Sequence, residues 1–276
     1  MKSAGRSASS VSQAGAGDTS RILAMICFFF SGFAALTLEI AWIRKASLVF
    51  GSTIFATSAV LAVFFLGLSV GSVTFGKLGR KLSRPLRAYS MLEISLGILS
   101  LSSPYTFRLA DHLYGVVYRA WAAETLLLIL MRIVLVAVVI LPPTILMGGT
   151  LPLFCRQFVV LRSKVAGSVG VLYGINTAGA AAGAATAGFW LLPAVGLRLT
   201  IQIGAAISIL CGLIVRWIRT DAVRDRKAPA EAPRVPGRRT LVPYMFFAVG
   251  FVALGSEVLW TRYLSLFVVN TVHPTR

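Results

Sequence analysis

Runs of apolar residues, each cut off by a cluster of Arg, Lys, Ser or Pro, repeat along this chain. A helix that crosses a bilayer needs about 20 largely apolar residues. Seven stretches meet that length, near 22–43, 53–75, 88–107, 125–147, 166–193, 199–217 and 242–262. The pattern predicts an all-α polytopic membrane protein. Ser83, Arg84 and Pro85, and Arg198 ahead of the sixth run, punctuate the loops. Residues 1–21, rich in Ser, Ala and Gly, read as a disordered cytoplasmic tail. The apolar core from Ile22 to Leu38 is longer than that of a cleaved signal peptide.

The opening run returns near the end. Phe28–Phe50, FFFSGFAALTLEIAWIRKASLVF, and Phe246–Val268, FFAVGFVALGSEVLWTRYLSLFV, agree at 11 of 23 positions with a constant offset of 218 residues. Apolar identities between membrane helices are common, but the shared Glu-x-x-Trp-x-Arg is specific. The second copy is the seventh run, six runs on from the first, and an even offset preserves orientation, so this reads as a parallel repeat. The architecture is then a six-helix unit over 22–217, a basic cytoplasmic linker over 218–241, and the first helix of a second, incomplete repeat over 242–276. The second copy stops before its second span, so the chain reads as truncated.

Composition narrows the class. The chain is 57% hydrophobic and 13% charged, against about 45–50% and about 25% in soluble domains. That argues against a water-soluble enzyme and against a disordered chain. Cys27, Cys155 and Cys211 are too few for a disulfide scaffold and lack metal or redox spacing. The net charge of +18 resolves into topology. Nineteen cations fall in the amino-terminal tail and the second, fourth and sixth loops, against five (Arg44, Lys45, Arg108, Arg119 and Arg198) in the loops opposite. The positive-inside rule puts the amino terminus in the cytoplasm of a cell (inner) membrane. The basic loops suit an anionic inner leaflet rather than nucleic acid.

Four segments carry a family resemblance: SGFAALTLEIAWIRKASLVFGS, LAVFFLGLSVGSVTFGKLGRKLSRPLRAYSMLEISLGI, LPPTILMGGTLPL and VGVLYGINTAGAAAGAATAGFWLLPAVGLR. In this order they resemble the membrane part of the spermidine synthase-like, or fused major-facilitator/spermidine-synthase, membrane proteins. The resemblance covers 22–217 and resumes at 243. It implies membrane helices that precede a soluble aminopropyltransferase-like domain of Rossmann type. This chain has no strand followed by a Gly-rich loop and a later acid. The expectation is therefore a non-enzymatic module without cofactor. It would be transporter-like for a polyamine or other small cation, or else a scaffold or anchor for a separately encoded enzyme domain. Gly71, Gly76, Lys77, Gly79, Arg80 and Lys81 are similar to the major-facilitator signature, but its Asp is missing.

Ionisable residues inside spans are expensive, and four stand out: Glu39, Glu93, Arg132 and Glu257. Their depths make a Glu39–Arg132 ion pair feasible, with Glu257 at the level of Glu39 and Glu93 nearer Lys77, Arg80 or Arg87. Two readings stand. The carboxyls line a cation-attracting cavity, or they hold helices together. Trp42 and Trp260 suit an aromatic belt. Gly170/Gly174 and Gly179/Gly183, with Asn176, suit close helix packing. Pro142 and Pro143 should kink or end their helix, and with Gly148, Gly149 and Pro152 they form either a hinge or re-entrant turn or, the favoured reading, a packing surface. Residues 104–124, with Asp111, His112 and Glu124, read as an interfacial segment too poor in ligands for a metal.

Overall fold

A computed structural model describes residues 4–50, 54–121, 125–158 and 165–218, together with residues 244–245, 247–252, 255–256, 259–260 and 263. Among these residues all regular structure is helical. The chain forms α1 (Ala4–Phe50), α2 (Ile54–Gly79), α3 (Pro85–Trp121), α4 (Thr125–Phe158), α5 (Val165–Thr186) and α6 (Leu192–Trp217). A π-helical turn, Ala187–Leu191, joins the last two. These helices belong to one compact unit and the residues from Asp225 onward to another. The described residues of 244–263 are helical, and the Trp260 and Tyr263 rings meet edge to face at 6.1 Å. The 218–241 linker lies outside the described residues apart from Ile218.

Among the described residues, four stretches are long and apolar enough to cross a membrane: Thr19–Leu48, Ser58–Gly79, Leu126–Phe158 and Gly167–Trp217. α3 does not reach that apolarity, because Glu93 and a series of serines interrupt its leucines and isoleucines. The fourth stretch has 51 residues, about 76 Å of helix at 1.5 Å per residue. That is over twice a hydrocarbon core of about 30 Å. Its helical path breaks at Gly196, whose φ of 76° and ψ of 174° leave the helical region. A side chain there would be strained, so glycine marks the turn the sequence places between 193 and 199.

Close contacts between helices fix their directions. Asn176 donates to the Phe28 carbonyl at 3.0 Å and Thr37 to the Gly183 carbonyl at 3.3 Å, so α1 and α5 run in parallel. Ser31 bonds Glu93 and Trp42 bonds Ser103, so α3 runs parallel to α1 as well. Cys27 contacts Cys211, while Gly204 lies against Leu38, so α6 is antiparallel to α1. Gly67 faces Thr144 and Gly79 faces Leu153, making α2 and α4 parallel to each other. Tyr89 packs on Phe154 and Tyr114 meets Arg132, so α3 and α4 are antiparallel. Odd and even helices thus alternate in direction.

Three local expectations are corrected. α1 begins at Ala4 rather than after a disordered tail. Alanines among these residues favour helix, and extending an existing helix adds a hydrogen bond per residue without a new nucleus. α4 continues through Pro142, Pro143 and Pro152 to Phe158. Close packing holds it: a Cβ on Gly71 would sit 2.0 Å from the Ile145 carbonyl oxygen, and one on Gly148 would sit 2.2 Å from that of Leu68. The proposed hinge is therefore a continuous helix packed on α2. Residues 104–121 extend α3 rather than forming a separate interfacial segment, with Phe107, Ala110 and Tyr114 buried and Arg108, Asp111 and His112 exposed.

Candidate functional site

α3 buries one side along nearly its whole length. Tyr89, Ser90, Glu93, Leu96, Ser100, Ser103 and Phe107 recur at helical spacing, and all are buried. The polar members of this stripe face α1 and α6. α6 comes close because Gly212 has no side chain: a Cβ there would meet the Ser90 carbonyl oxygen at 2.8 Å and Glu93 Cβ at 3.0 Å. Gly97 allows the same approach to the Ala205 carbonyl oxygen, at 2.6 Å from its would-be Cβ.

Glu93 is 0% exposed. Ser31 Oγ donates to its Oε1 at 2.5 Å. Its other oxygen, Oε2, accepts no hydrogen bond. The Tyr89 and Ser208 hydroxyls face the carboxyl without closing a hydrogen bond to it, and Ser90 Oγ is equally without a partner. The thiols of Cys27 and Cys211 meet beside this group. One carboxyl and four hydroxyls from three helices are thus buried together, with Phe28, Leu92 and Phe154 among the apolar side chains packed around them. Buried polar groups normally have partners, and an unmatched one costs roughly 1–3 kcal/mol. The donor set is all oxygen with a single acidic group, which suits a cation or a water molecule.

Glu93 does not take up the neighbours expected for it. Lys77, Arg80 and Arg87 are exposed, and the side chain that reaches Glu93 is Ser31. Arg132 stands elsewhere. Its guanidinium donates from Nε to Tyr114 Oη at 2.9 Å and also from Nη2, and its carbon lies 4.9 Å from the Tyr114 ring centre. Tyr114 is 21 residues beyond Glu93 on α3, about 30 Å along the axis, so Glu93 and Arg132 form no common site. Tyr114 is also 11 residues, about 16 Å, beyond the Ser103 that bonds Trp42. That register separates Arg132 from the level of Glu39, and the contact it receives in place of the expected Glu39–Arg132 pair is Tyr114. Glu39 itself is buried, at 4% exposure. Glu257 lies outside the described residues.

Trp42 is not part of an aromatic belt. It is fully buried, and its Nε1 donates to Ser103 Oγ at 3.0 Å. Trp260 is exposed. The glycines of α5 divide. A Cβ on Gly179 would lie 1.9 Å from the Phe29 carbonyl oxygen, and one on Gly183 would lie 2.1 Å from that of Phe33. Gly170 and Gly174 have open space instead. Among the described residues, the small-residue spacing there brings no neighbouring helix against these two glycines.

The hydroxyls around Glu93 are the part that sequence reading missed. Ser90, Glu93, Ser100 and Ser103 at intervals of three and seven were a visible polar stripe. Ser31 and Ser208 carry no such signal, since only tertiary packing brings them to α3. Neither family models, nor curated proteins, nor solved structures give a match to this chain.

Proposed function

We propose that the chain is a multi-pass inner-membrane module, amino terminus inside, that binds and moves a small cation in the manner of a transporter domain. In this reading it is the membrane part of a spermidine synthase-like protein and performs no aminopropyl transfer itself. The single observation that carries the reading is the fully buried Glu93 with one oxygen left without a partner among unmatched hydroxyls. A carboxyl in such a place costs stability unless something compensates it, and intramembrane acids mark ion and substrate paths. Among the described residues no Lys or Arg reaches that point, and an external cation is the natural complement.

The test is spermidine binding and uptake with the purified chain in proteoliposomes. Saturable uptake in wild type, reduced at least tenfold in Glu93→Gln, is the expected result. Gln preserves shape and removes the charge, and a unit pair at 4 Å is worth about 4 kcal/mol at an effective dielectric constant of 20. Uptake unchanged in Glu93→Gln, or no binding of spermidine or of a simpler amine by folded wild type, refutes the reading and leaves the module as an anchor for a separate enzyme domain.

A further inference from the structure

A second feature lies where α3 begins and α6 ends. Arg84, Arg87 and Arg216 line a cleft of about 360 Å³ with Leu86, Val215 and Trp217. Leu86 and Val215 are buried and form its apolar floor, whereas the three arginines are exposed. Trp217 is 84% exposed and closes the 51-residue apolar stretch that begins at Gly167. Among the described residues no acidic side chain lines the cleft. The carboxyl end of α6 and the amino end of α3 bring opposite partial charges here and offset each other, so the field comes from the guanidinium groups.

We propose that this cleft binds the phosphate diester headgroup of an anionic phospholipid. Three features select that ligand. Arg presents a planar fork that matches phosphate oxygens, and three arginines line this one cleft. An exposed Trp at the end of an apolar helix belongs at the boundary between acyl chains and water. A basic cleft between helix ends at that boundary is where an acidic headgroup can be reached while its chains stay in the bilayer. The proposal rests on the membrane placement above but not on the cation reading of Glu93.

The experiment uses the full chain in two steps. Flotation with phosphatidylcholine vesicles first tests insertion alone. Binding of phosphatidylglycerol and cardiolipin, against phosphatidylcholine and inorganic phosphate, is then measured by native mass spectrometry and thermal shift in a neutral detergent. Anionic lipid should bind and raise the unfolding temperature, while phosphatidylcholine and inorganic phosphate should not. Affinity should fall about fivefold for each arginine changed to alanine, and Arg84→Lys/Arg87→Lys should recover part of the loss. Arg44→Ala, on α1 outside the cleft, should bind as wild type. Failure to insert refutes the membrane placement. Insertion without preference for anionic lipid, binding unchanged in Arg84→Ala/Arg87→Ala, or equal protection by inorganic phosphate refutes the headgroup site.

Discussion

Two glycines of identical chemistry on α5 should respond oppositely to alanine. At Gly183 a Cβ would fall 2.1 Å from the Phe33 carbonyl oxygen, where ordinary contact begins at 3.4 Å. The obstacle is backbone and cannot rotate away, so α1 and α5 must separate by more than 1 Å. Overpacking of this kind costs about 1–3 kcal/mol. The separation also stretches the Thr37 bond to the Gly183 carbonyl, at 3.3 Å, and the Asn176 bond to the Phe28 carbonyl, at 3.0 Å. Each contributes about 1 kcal/mol. Gly174 has nothing within 4 Å of its would-be Cβ, and alanine there gains up to about 1 kcal/mol of helix propensity. Thermal unfolding of the purified variants in one detergent, followed by tryptophan fluorescence, measures the contrast. At about 2–4 °C per kcal/mol for a chain of this size, Gly183→Ala should lower Tm by roughly 5–15 °C. Gly174→Ala should leave it unchanged or slightly raised. Equal losses in the two variants, or none in Gly183→Ala, would show that α1 and α5 do not meet as described.

Other expectations follow from single contacts. Trp42→Phe removes the donor to Ser103 in a fully buried position and should cost about 1–3 kcal/mol. A double-mutant cycle with Ser103→Ala that gives no coupling would refute that contact. Tyr114→Phe deprives Arg132 of its hydroxyl acceptor but keeps the ring beneath the guanidinium. It should destabilise by about 1–2 kcal/mol, and the loss should largely vanish in an Arg132→Gln background. Copper-phenanthroline oxidation should join Cys27 to Cys211, which share one buried cluster between α1 and α6. After proteolysis between these helices the fragments should stay together until reduced, and separation without reductant would contradict the antiparallel register.

Much of the fold was legible because apolar length is a one-dimensional property. Among the described residues, each apolar run of the first unit falls within a helix or within the broken α5–α6 stretch. The turn between the last two runs of that unit sits at Gly196, where a positive φ makes a local demand that sequence displays as glycine. What periodicity hid was continuity. Pro142 and Pro143 look like a stop, yet glycines packed on α2 carry α4 past them. α3 likewise runs beyond Pro104 to Trp121.

The site divides along the same line. Sequence alone determined that Glu39, Glu93 and Arg132 are charges set among apolar residues, because the cost of such placement depends on the residue and its neighbours along the chain. It also determined the four small residues offered for packing on α5. Only tertiary structure decided which of these mattered. Gly179 and Gly183 turn toward α1 while Gly170 and Gly174 turn away, a difference of helical phase that identical spacing cannot show. Arg132 goes to Tyr114 and Glu93 to Ser31, because helix register, not depth counted from the end of a run, sets which side chains share a level. The unmatched hydroxyls of Tyr89, Ser90 and Ser208 became a site for the same reason. A hydroxyl is ordinary in any sequence, and it becomes chemically consequential when three helices bury it beside a carboxyl.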